Sequence, residues 1–397
     1  MTIYLYVEPA YQNTLWCRRT LGAISAEAAR KRYPIKYLPP ETLYQTDFDA
    51  FFGEEKKRLL LVLSTAVESS AALNEFFMVN GIHAIHINHQ NIAASVNCSS
   101  IIVDYTAAMR SIVEYLEGTS HERFALYGIN QNSSTDMIKK EYFEDLCRQA
   151  PERYRPEDIY YNNSDLQRCF STLKPHLARY NAFICANDIV AYSLITNLRE
   201  NGVRVPEDVY VVSFGGSLLS QLGSPSLTTI SVDHETLGRQ AIFAYSYLQK
   251  AAHEIYMTAK VASSLQIRLS TNFATPYIKP MTYTVPLVTS GVNFYSDEES
   301  RRILKVDAVL SKCDILDFQI ISGLLHGYPY NRISSGLFVS ENVIFYRIKR
   351  MLKTADISTK EELTTLFRNY LSSEEISAYI SNELSKYRKE TMKTQPK

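Results

Sequence analysis

The pattern of apolar and polar positions predicts a repeating order of strand, helix and strand over the first two thirds of the chain. The apolar runs Ile3–Val7, Leu59–Leu63 and Ile82–Ile87 are short and apolar on both faces, which is typical of buried parallel strands. Between such runs, as in residues 15–33 and 105–116, apolar positions recur at helical spacing. This order predicts an α/β fold of parallel sheets with flanking helices.

The clearest unit of this kind lies in residues 183–233. A short apolar run leads into Asn187 and Asp188, and a segment of helical period follows. That segment ends at Gly202, the residue type that most easily adopts the left-handed conformation found after helices. Residues 209–214 are again apolar on both faces, so a second strand is predicted there.

Several motifs of this region resemble the effector-binding core of the lactose-repressor-like (LacI/GalR) regulators. They are Ala-Asn-Asp at 186–188, NGVRVPEDVYVVSF at 201–214 and SPSLTTISVDHETLGRQA at 224–241, which occur in the order and spacing of that family. The resemblance implies a two-lobed, periplasmic-binding-protein-like sensor in residues 1–274. Family regulators carry a DNA-binding headpiece before the first strand, and we expect none here because Ile3 already begins a strand.

The resemblance also implies a set of effector-binding residues at the carboxyl ends of the strands, where ligands bind in open parallel sheets. Tyr11 and Trp16 follow the first strand and could stack on a ligand, although Trp16 could equally fill a gap between helix and sheet. Asp104 is either an effector contact or the N-cap of the next helix. Asn187 and Phe214 complete the implied set.

Two departures from the family pattern change the expected effector. Where the family has an arginine before a Gly-Phe pair, this chain offers Lys139, a point charge without the bidentate guanidinium fork. Where the family reads Gly-Phe-Asp-Asp, residues 213–216 read Ser-Phe-Gly-Gly. Asp188 is expected to cap its helix. We therefore expect an anionic or less hydroxylated effector rather than a neutral hexose, or a vestigial pocket that responds to a partner protein.

Composition narrows the remaining classes of function. Lys and Arg together number 42, as do Asp and Glu, so any basic surface must be local. The six cysteines are scattered, and His83 and His86 point to opposite faces of their strand, so we expect reduced thiols and neither metal nor cofactor. We find no signal peptide, no membrane-length apolar run and no nucleophile–base pair. These features predict a cytoplasmic protein that is not an enzyme and has no membrane partner.

Residues 297–390 change to a purely helical pattern after a proline-bearing linker at 275–296. A helix is predicted at 297–310, followed by two short helices at 316–328 and 329–337 and a longer one at 341–353 with Ser340 as its N-cap. A further helix at 360–371 is expected to complete the domain. The tail from Glu390 is expected to be disordered. The helix after Ser340 has one apolar face, predicted to comprise Ile344, Phe345, Ile348, Met351 and Leu352.

This arrangement resembles the helix-turn-helix of LuxR-type and PucR-type regulators, through Gly327, Ile333, Leu337, Ser340, Val343 and Ile348. A recognition helix needs an apolar base and a polar outer face that reaches phosphates and base edges. The residues predicted to bind double-stranded DNA are Ser340, Asn342, Tyr346, Arg347, Lys349, Arg350 and Lys353. The alternative is an ordinary amphipathic helix with a solvated basic face.

The sequence thus predicts a transcription regulator in which a two-lobed sensor is joined to a C-terminal all-α helix-turn-helix domain. We expect a homodimer, because one short helix in one major groove gives limited affinity. Effector state is expected to reach the DNA through the linker. The alternatives are an interaction module with a vestigial pocket and, less favoured, a solute-binding protein.

Overall fold

The computed structural model of the protein describes residues 1–89, 98–119, 121–271 and 297–393. These residues form two compact units. The first comprises Met1–Ala186 and Ile230–Leu265, and the second comprises Asn187–Thr229 with residues 266–271 and 297–393. The predicted linker at 275–296 lies outside the described residues.

The first part of the chain alternates strands and helices as predicted. Its elements are β1 (Ile3–Val7), α1 (Leu15–Arg30), β2 (Ile35–Tyr37), α2 (Phe48–Phe52), β3 (Arg58–Leu63), α3 (Val67–Val79), β4 (Ile82–Ile87), β5 (Ser99–Val103) and α4 (Tyr105–Glu117). The strand centres are fully buried, as in β3, where Leu59 to Leu63 are at most 1% exposed. Burial on both faces explains why these strands read as continuous apolar runs.

The alternation continues to residue 266. The next elements are β6 (Phe124–Ile129), α5 (Ser134–Gln149), β7 (Ile159–Tyr161), α6 (Leu166–Leu173), β8 (Ala182–Cys185), α7 (Asp188–Glu200), β9 (Tyr210–Gly215), α8 (Leu218–Leu222), β10 (Thr228–Ser231), α9 (His234–Lys250), β11 (Thr258–Val261) and β12 (Ser264–Gln266). α7 ends as predicted, with Gly202 at φ +76°. β12 is followed by a 3-10 turn at Leu269–Thr271.

The strands form two six-stranded sheets, one for each predicted lobe. The orders are β11-β5-β4-β3-β1-β2 and β12-β10-β9-β8-β6-β7. The registered pairs, such as β1 with β3 and β6 with β8, are parallel. Chain order and sheet order together give the two parallel α/β lobes that the sequence predicted, with β11 returning to the first sheet after the second has formed.

The C-terminal region is helical. Its elements are α10 (Glu298–Leu310), α11 (Ile315–Leu325), α12 (Tyr330–Leu337), α13 (Glu341–Ala355), α14 (Lys360–Tyr370) and α15 (Ser373–Lys393). The prediction that a helix at 360–371 completes the domain was wrong, because α15 follows and packs on α11 through the rings of Phe318 and Tyr379, 4.9 Å apart. Its described backbone also continues beyond Glu390, where disorder was expected.

Candidate functional site

The segments that follow β3 and β6 are joined within the first unit. Ala66, after β3, forms an isolated antiparallel bridge with Ser133, after β6. The Asn132 side chain accepts from the backbone N–H groups of Val67 and Glu68, at 3.1 and 3.0 Å, and so caps the start of α3. Ala66 occupies the N-cap position and makes no side-chain cap bond. We call these five residues the interlobe clasp.

Tyr11 and Trp16, the predicted stacking residues, lie in ring contact with centroids 6.1 Å apart. Tyr11 is buried, and its hydroxyl donates to the Asn132 carbonyl oxygen at 3.3 Å, which ties it to the clasp. Burial raises the pKa of Tyr11, so this hydroxyl stays protonated. Trp16, in the first turn of α1, is half-buried. One aromatic ring therefore supports the clasp, and the other leaves part of its surface exposed.

Two histidines, His86 and His89, lie near the carboxyl end of β4. From the sequence alone they were considered only as metal ligands. The rings of His86 and His89 lie 5.4 Å apart, and both are buried. The Thr65 backbone lies beside the His89 ring, but no described residue makes a hydrogen bond of normal geometry to Nδ1 or Nε2 of His89. Burial lowers the pKa of His86 to about 3 and that of His89 to about 4, so both rings are neutral at pH 7.

Lys139, considered as a substitute for the family arginine, is held inside the protein. It is 2% exposed, and its Nζ contacts Asp136 Oδ1 at 2.6 Å and the Ala186 carbonyl oxygen at 2.8 Å. Nζ also lies 5.1 Å from the centroid of the Tyr105 ring. The Tyr105 hydroxyl donates to Asn88 Oδ1 at 3.3 Å. The cation is therefore part of an internal network that ends beside His89.

Asp104 is the N-cap of α4, one of the two roles considered for it. Its Oδ1 accepts from the Ala107 N–H at 3.1 Å, and its Oδ2 lies 3.4 Å from Lys260 Nζ. The strand that it follows, β5, is three strands from β1 in the sheet order, which is about 14 Å at the usual strand spacing. Asp104 and Tyr11 therefore belong to opposite ends of this sheet edge.

In the second unit, the helix cap predicted at Asp188 is instead made by Asn187. Asn187 Oδ1 accepts from the N–H groups of Ile189 and Val190, both at 3.0 Å, and caps α7. The prediction that Asp188 caps this helix was wrong, because position 187 is the N-cap and the Asp188 side chain turns inward. The predicted ligand contact Phe214 is buried in β9 and 2% exposed.

Asp188 is instead a buried acceptor that joins several elements. Its Oδ1 accepts from Ser213 Oγ at 2.6 Å and Thr229 Oγ1 at 2.8 Å, and its Oδ2 accepts from the Ser217 N–H at 2.7 Å. Gly215 has φ +136°, and a Cβ there would lie 3.0 Å from Asp188 Oδ2. An aspartate at 215, as in the family pattern, would be strained in the backbone and would place a second carboxylate beside Asp188.

The C-terminal helices contain two consecutive short connections of the kind found in helix-turn-helix domains. Gly327, at φ +73°, ends α11 and is the predicted turn glycine. α12 ends at Phe338, whose backbone is left-handed with φ +55° and whose side chain is 96% exposed. Ser340 occupies the N-cap position of α13 as predicted, but its side chain makes no cap bond.

α13 has a buried side and an opposite exposed side. Its buried residues are Ile344, Ile348, Met351 and Ala355. At about 100° per residue, Asn342, Tyr346, Lys349 and Lys353 fall within about 60° on the opposite side, and all four are exposed. We call these four residues the α13 stripe. The prediction that Phe345 belongs to the core was wrong, since it is 57% exposed and borders this stripe.

Arg347 and Arg350, also predicted to bind DNA, are bound to carboxylates at the start of α11. Arg347 Nη1 lies 2.7 Å from Asp314 Oδ1 and 2.9 Å from Asp317 Oδ1. Arg350 forms an ion pair with Asp317 Oδ2, and the Asp317 side chain is 0% exposed. These ion pairs connect α13 to α11 and give both guanidinium groups carboxylate partners, although the Arg350 side chain remains 41% exposed.

The described residues contain no group of three or more His, Cys, Asp or Glu side chains that could hold a metal ion. None of the described helices is both long and apolar enough to cross a bilayer.

Comparison with known proteins bears on the two-lobed part of the chain. Residues 113–271 match the family model of a periplasmic binding protein-like domain. The chain is 19% identical to a glucose-bound LacI family regulator, CCPA from Weissella paramesenteroides, with a TM-score of 0.54 over 68% of this chain and 98% of that one. A LacI family regulator from Mycobacterium smegmatis, also 19% identical, gives a TM-score of 0.55 over 68% and 99%. These likenesses show the fold.

Curated relatives match part of the same region of the chain. The NTD biosynthesis operon regulator NtdR of Bacillus subtilis is 29% identical over 142 residues, which are 35% of this chain and 43% of the relative. The transcriptional regulator GalR of Streptococcus thermophilus is 30% identical over 182 residues, 43% and 54% of the two chains. The match thus spans about half the length of these relatives. They are transcriptional regulators rather than enzymes, and they support a LacI/GalR-type effector-binding domain here.

Proposed function

We propose that this protein is a transcription regulator that binds double-stranded DNA through its C-terminal helices and a small effector through its two-lobed domain. A DNA target places it in the cytoplasm. The observation that carries the proposal is the α13 stripe. It presents an amide, a phenol and two lysines on one exposed side of a helix whose other side is buried, directly after a short turn from α12.

Each residue type of the α13 stripe suits a different part of a DNA duplex. Asn342, in the first turn, can form a bidentate pair with adenine in the major groove. Lys349 and Lys353 suit phosphates, and the Tyr346 hydroxyl can also reach the backbone. Ser340 and the ion-paired Arg347 and Arg350 remain predicted contacts of lesser weight, because the two arginines already have carboxylate partners.

The DNA prediction is tested by selecting duplexes from a random library and measuring their Kd by fluorescence anisotropy at several salt concentrations. Asn342→Ala should lower affinity for the selected sequence by about 1–3 kcal/mol and relax specificity at one base. Lys349→Ala should reduce the salt slope by about 0.9. A homodimer should select two half-sites about 34 Å, or one helical turn, apart.

Lys174→Ala is the matched control, because it removes the same charge from an exposed lysine outside the C-terminal helices. It should change neither affinity nor salt slope. If Asn342→Ala and Lys349→Ala bind like the unmodified chain, or if no duplex is enriched, the α13 stripe does not bind DNA.

For the effector, we infer a site at the carboxyl ends of β1, β3 and β4, beside Trp16 and His89. A neutral imidazole offers one donor and one acceptor, and leaving buried polar atoms unbonded costs about 1–3 kcal/mol, so a ligand that bonds to His89 gains that energy. The half-buried Trp16 ring suits a flat or apolar face. An effector less hydroxylated than a hexose fits both features. Asp104, Asn187 and Phe214 stay predictions from the resemblance.

A further inference from the structure

A sequence of contacts within the second unit begins at Asp188. Its carboxylate accepts from the Ser217 N–H at 2.7 Å. The Ser217 hydroxyl in turn caps α8 by accepting from the Ser220 N–H at 3.1 Å. The position of Asp188 therefore fixes the start of α8. Asp188 follows directly on Asn187, the residue that the family resemblance assigns to effector contact.

The other end of α8 is fixed against α7. The Tyr192 hydroxyl, on α7, donates to the carbonyl oxygens of Leu219 at 2.9 Å and Pro225 at 3.1 Å. A Cβ on Gly223 would lie 1.8 Å from that hydroxyl, so only glycine allows this approach. Because both ends are held, a helix of five residues has little freedom to bend and must move as one piece.

The C-terminal helices attach directly to the same two elements. The Ser372 N–H, between α14 and α15, donates to the Leu222 carbonyl oxygen at 3.2 Å, and Leu371 forms an antiparallel bridge with Gly223. On the α7 side, the Ser193 hydroxyl donates to Glu299 Oε2 of α10 at 2.8 Å, and both side chains are buried. The helices that carry the α13 stripe are therefore hydrogen-bonded to the effector-binding domain itself.

We infer that α8 is a coupling element that transmits the position of Asp188 to the 371–376 segment and so to the C-terminal helices. This inference rests on the proposed function for its biological meaning, but its physical content is independent of it. It is a second route beside the one expected through the linker, because these contacts do not involve residues 275–296. A displacement of Asp188 moves the Ser217 N–H, α8 moves as a unit, and the Leu222 carbonyl then strains or releases the Ser372 N–H.

The test is hydrogen–deuterium exchange, read by mass spectrometry, on the full chain carrying Asp188→Asn. The amide group keeps the shape of the carboxylate but removes its charge and weakens three hydrogen bonds. We expect exchange at least about fivefold faster not only at 213–217 but also at 219–223 and 371–376. Asp165→Asn is the control, because Asp165 also caps a helix, accepting from the Arg168 N–H at 2.8 Å, without contacting α8.

Ser217→Ala provides a second, milder variant in case Asp188→Asn does not fold. It removes the cap of α8 and should also raise exchange at 371–376. If either folded variant shows faster exchange confined to 187–190 and 213–220, with 371–376 unchanged, the inference is overturned. Faster exchange at 371–376 in Asp165→Asn would overturn it as well, since that effect would not depend on α8.

The same variants separate this inference from the proposed function. Their affinity for the selected duplex is measured beside that of the unmodified chain. If exchange is transmitted to 371–376 but no form binds DNA, the coupling stands and the DNA-binding function fails. If the chain binds DNA and the exchange effect stays local, the function stands and the coupling fails.

Discussion

Glu141, on α5, is a carboxyl group enclosed by protein. It is 1% exposed, and neither carboxylate oxygen has a hydrogen-bond partner among the described residues. Burial raises the pKa of Glu141 to about 7, and the nearby Glu144 carboxylate adds to the effect. The folded chain therefore keeps a proton at pH values where the unfolded chain, with a pKa near 4.5, has released it.

This difference in proton binding makes stability fall as pH rises from about 4.5 to about 7. Glu141→Gln removes the ionisation and should raise the free energy of unfolding at pH 8 by about 1–3 kcal/mol, with little change at pH 4.5. Urea unfolding at both pH values measures the effect. Glu152→Gln, at an exposed position, is the control and should be neutral at both. Equal effects of Glu141→Gln at the two pH values would contradict the raised pKa.

At individual positions, the sequence predicted which polar residues lie at the sheet edge better than it predicted what each of them does. Asn187 was expected to contact an effector, and Asp104 either to do so or to cap a helix; both cap helices. An Asp or Asn between a strand and a helix satisfies either role, because ligands and helix starts lie at the same sheet edge. His89 was missed as a ligand group for another reason. Its lack of a hydrogen-bond partner among the described residues depends on tertiary packing, and local sequence carries no information on that.

At the level of elements, the ion pairs between α11 and α13 separate stability from DNA contact. Arg350→Ala leaves the buried Asp317 with Arg347 alone and should lower the free energy of unfolding by about 1–3 kcal/mol. It should leave the salt slope of DNA binding unchanged. Lys353→Ala removes the same charge from the exposed side and should do the opposite, with a slope smaller by about 0.9. Urea unfolding and salt-dependent anisotropy measure the two effects.

The result would be contradicted by an unchanged stability in Arg350→Ala together with a reduced salt slope. Arg350 would then be a phosphate contact, as the sequence alone suggested, and its ion pair with Asp317 would contribute little. Lys353→Ala tests whether any charge lost from α13 changes stability, because it lies on the same helix without a described carboxylate partner.

Elements with a regular apolar period were predicted closely. β4 has the predicted bounds, Ile82–Ile87, and α13 differs by only a few residues. α15 was missed because its polar residues outnumber its apolar ones. Few of its apolar side chains are buried; among residues 373–385, Ile376 is fully buried. Phe345 was misassigned because an arc drawn on a helix does not show where neighbouring helices cover it. Tertiary packing decides such borders.

At the scale of the whole molecule, the order of strands predicted the two sheets but not the clasp between the segments that follow β3 and β6. The clasp joins residues 66–68 to residues 132 and 133, and a pairing so distant in sequence is set by tertiary packing. No periodicity in the sequence predicts it. The contact between Tyr11 and Trp16 could be anticipated, because both follow β1 within a few residues.

The proposed effector site can be tested through Trp16, the sole tryptophan of the chain. Ligands that change its fluorescence should lose about 10- to 100-fold in affinity in His89→Phe, the equivalent of about 1–3 kcal/mol for the lost hydrogen bonds. His83→Phe is the matched control on β4, the strand that precedes His89, since the His83 ring already bonds Ser99 Oγ at 2.9 Å. Tight binding of glucose that is insensitive to His89→Phe would refute the site.

The Asn132 cap would also affect how strongly an effector binds if the effector has to separate the segments that the cap joins. α3 begins at Val67 with Ala66 as its N-cap residue, which has no side-chain oxygen, so its first amides rely on Asn132 from the segment after β6. Losing an N-cap costs about 1 kcal/mol. An effector that enters only by parting these segments would bind about fivefold more weakly than to a chain whose helix carried its own cap. For such an effector, the clasp would shift the dose–response curve toward higher concentration, and Ala66→Ser would shift it back.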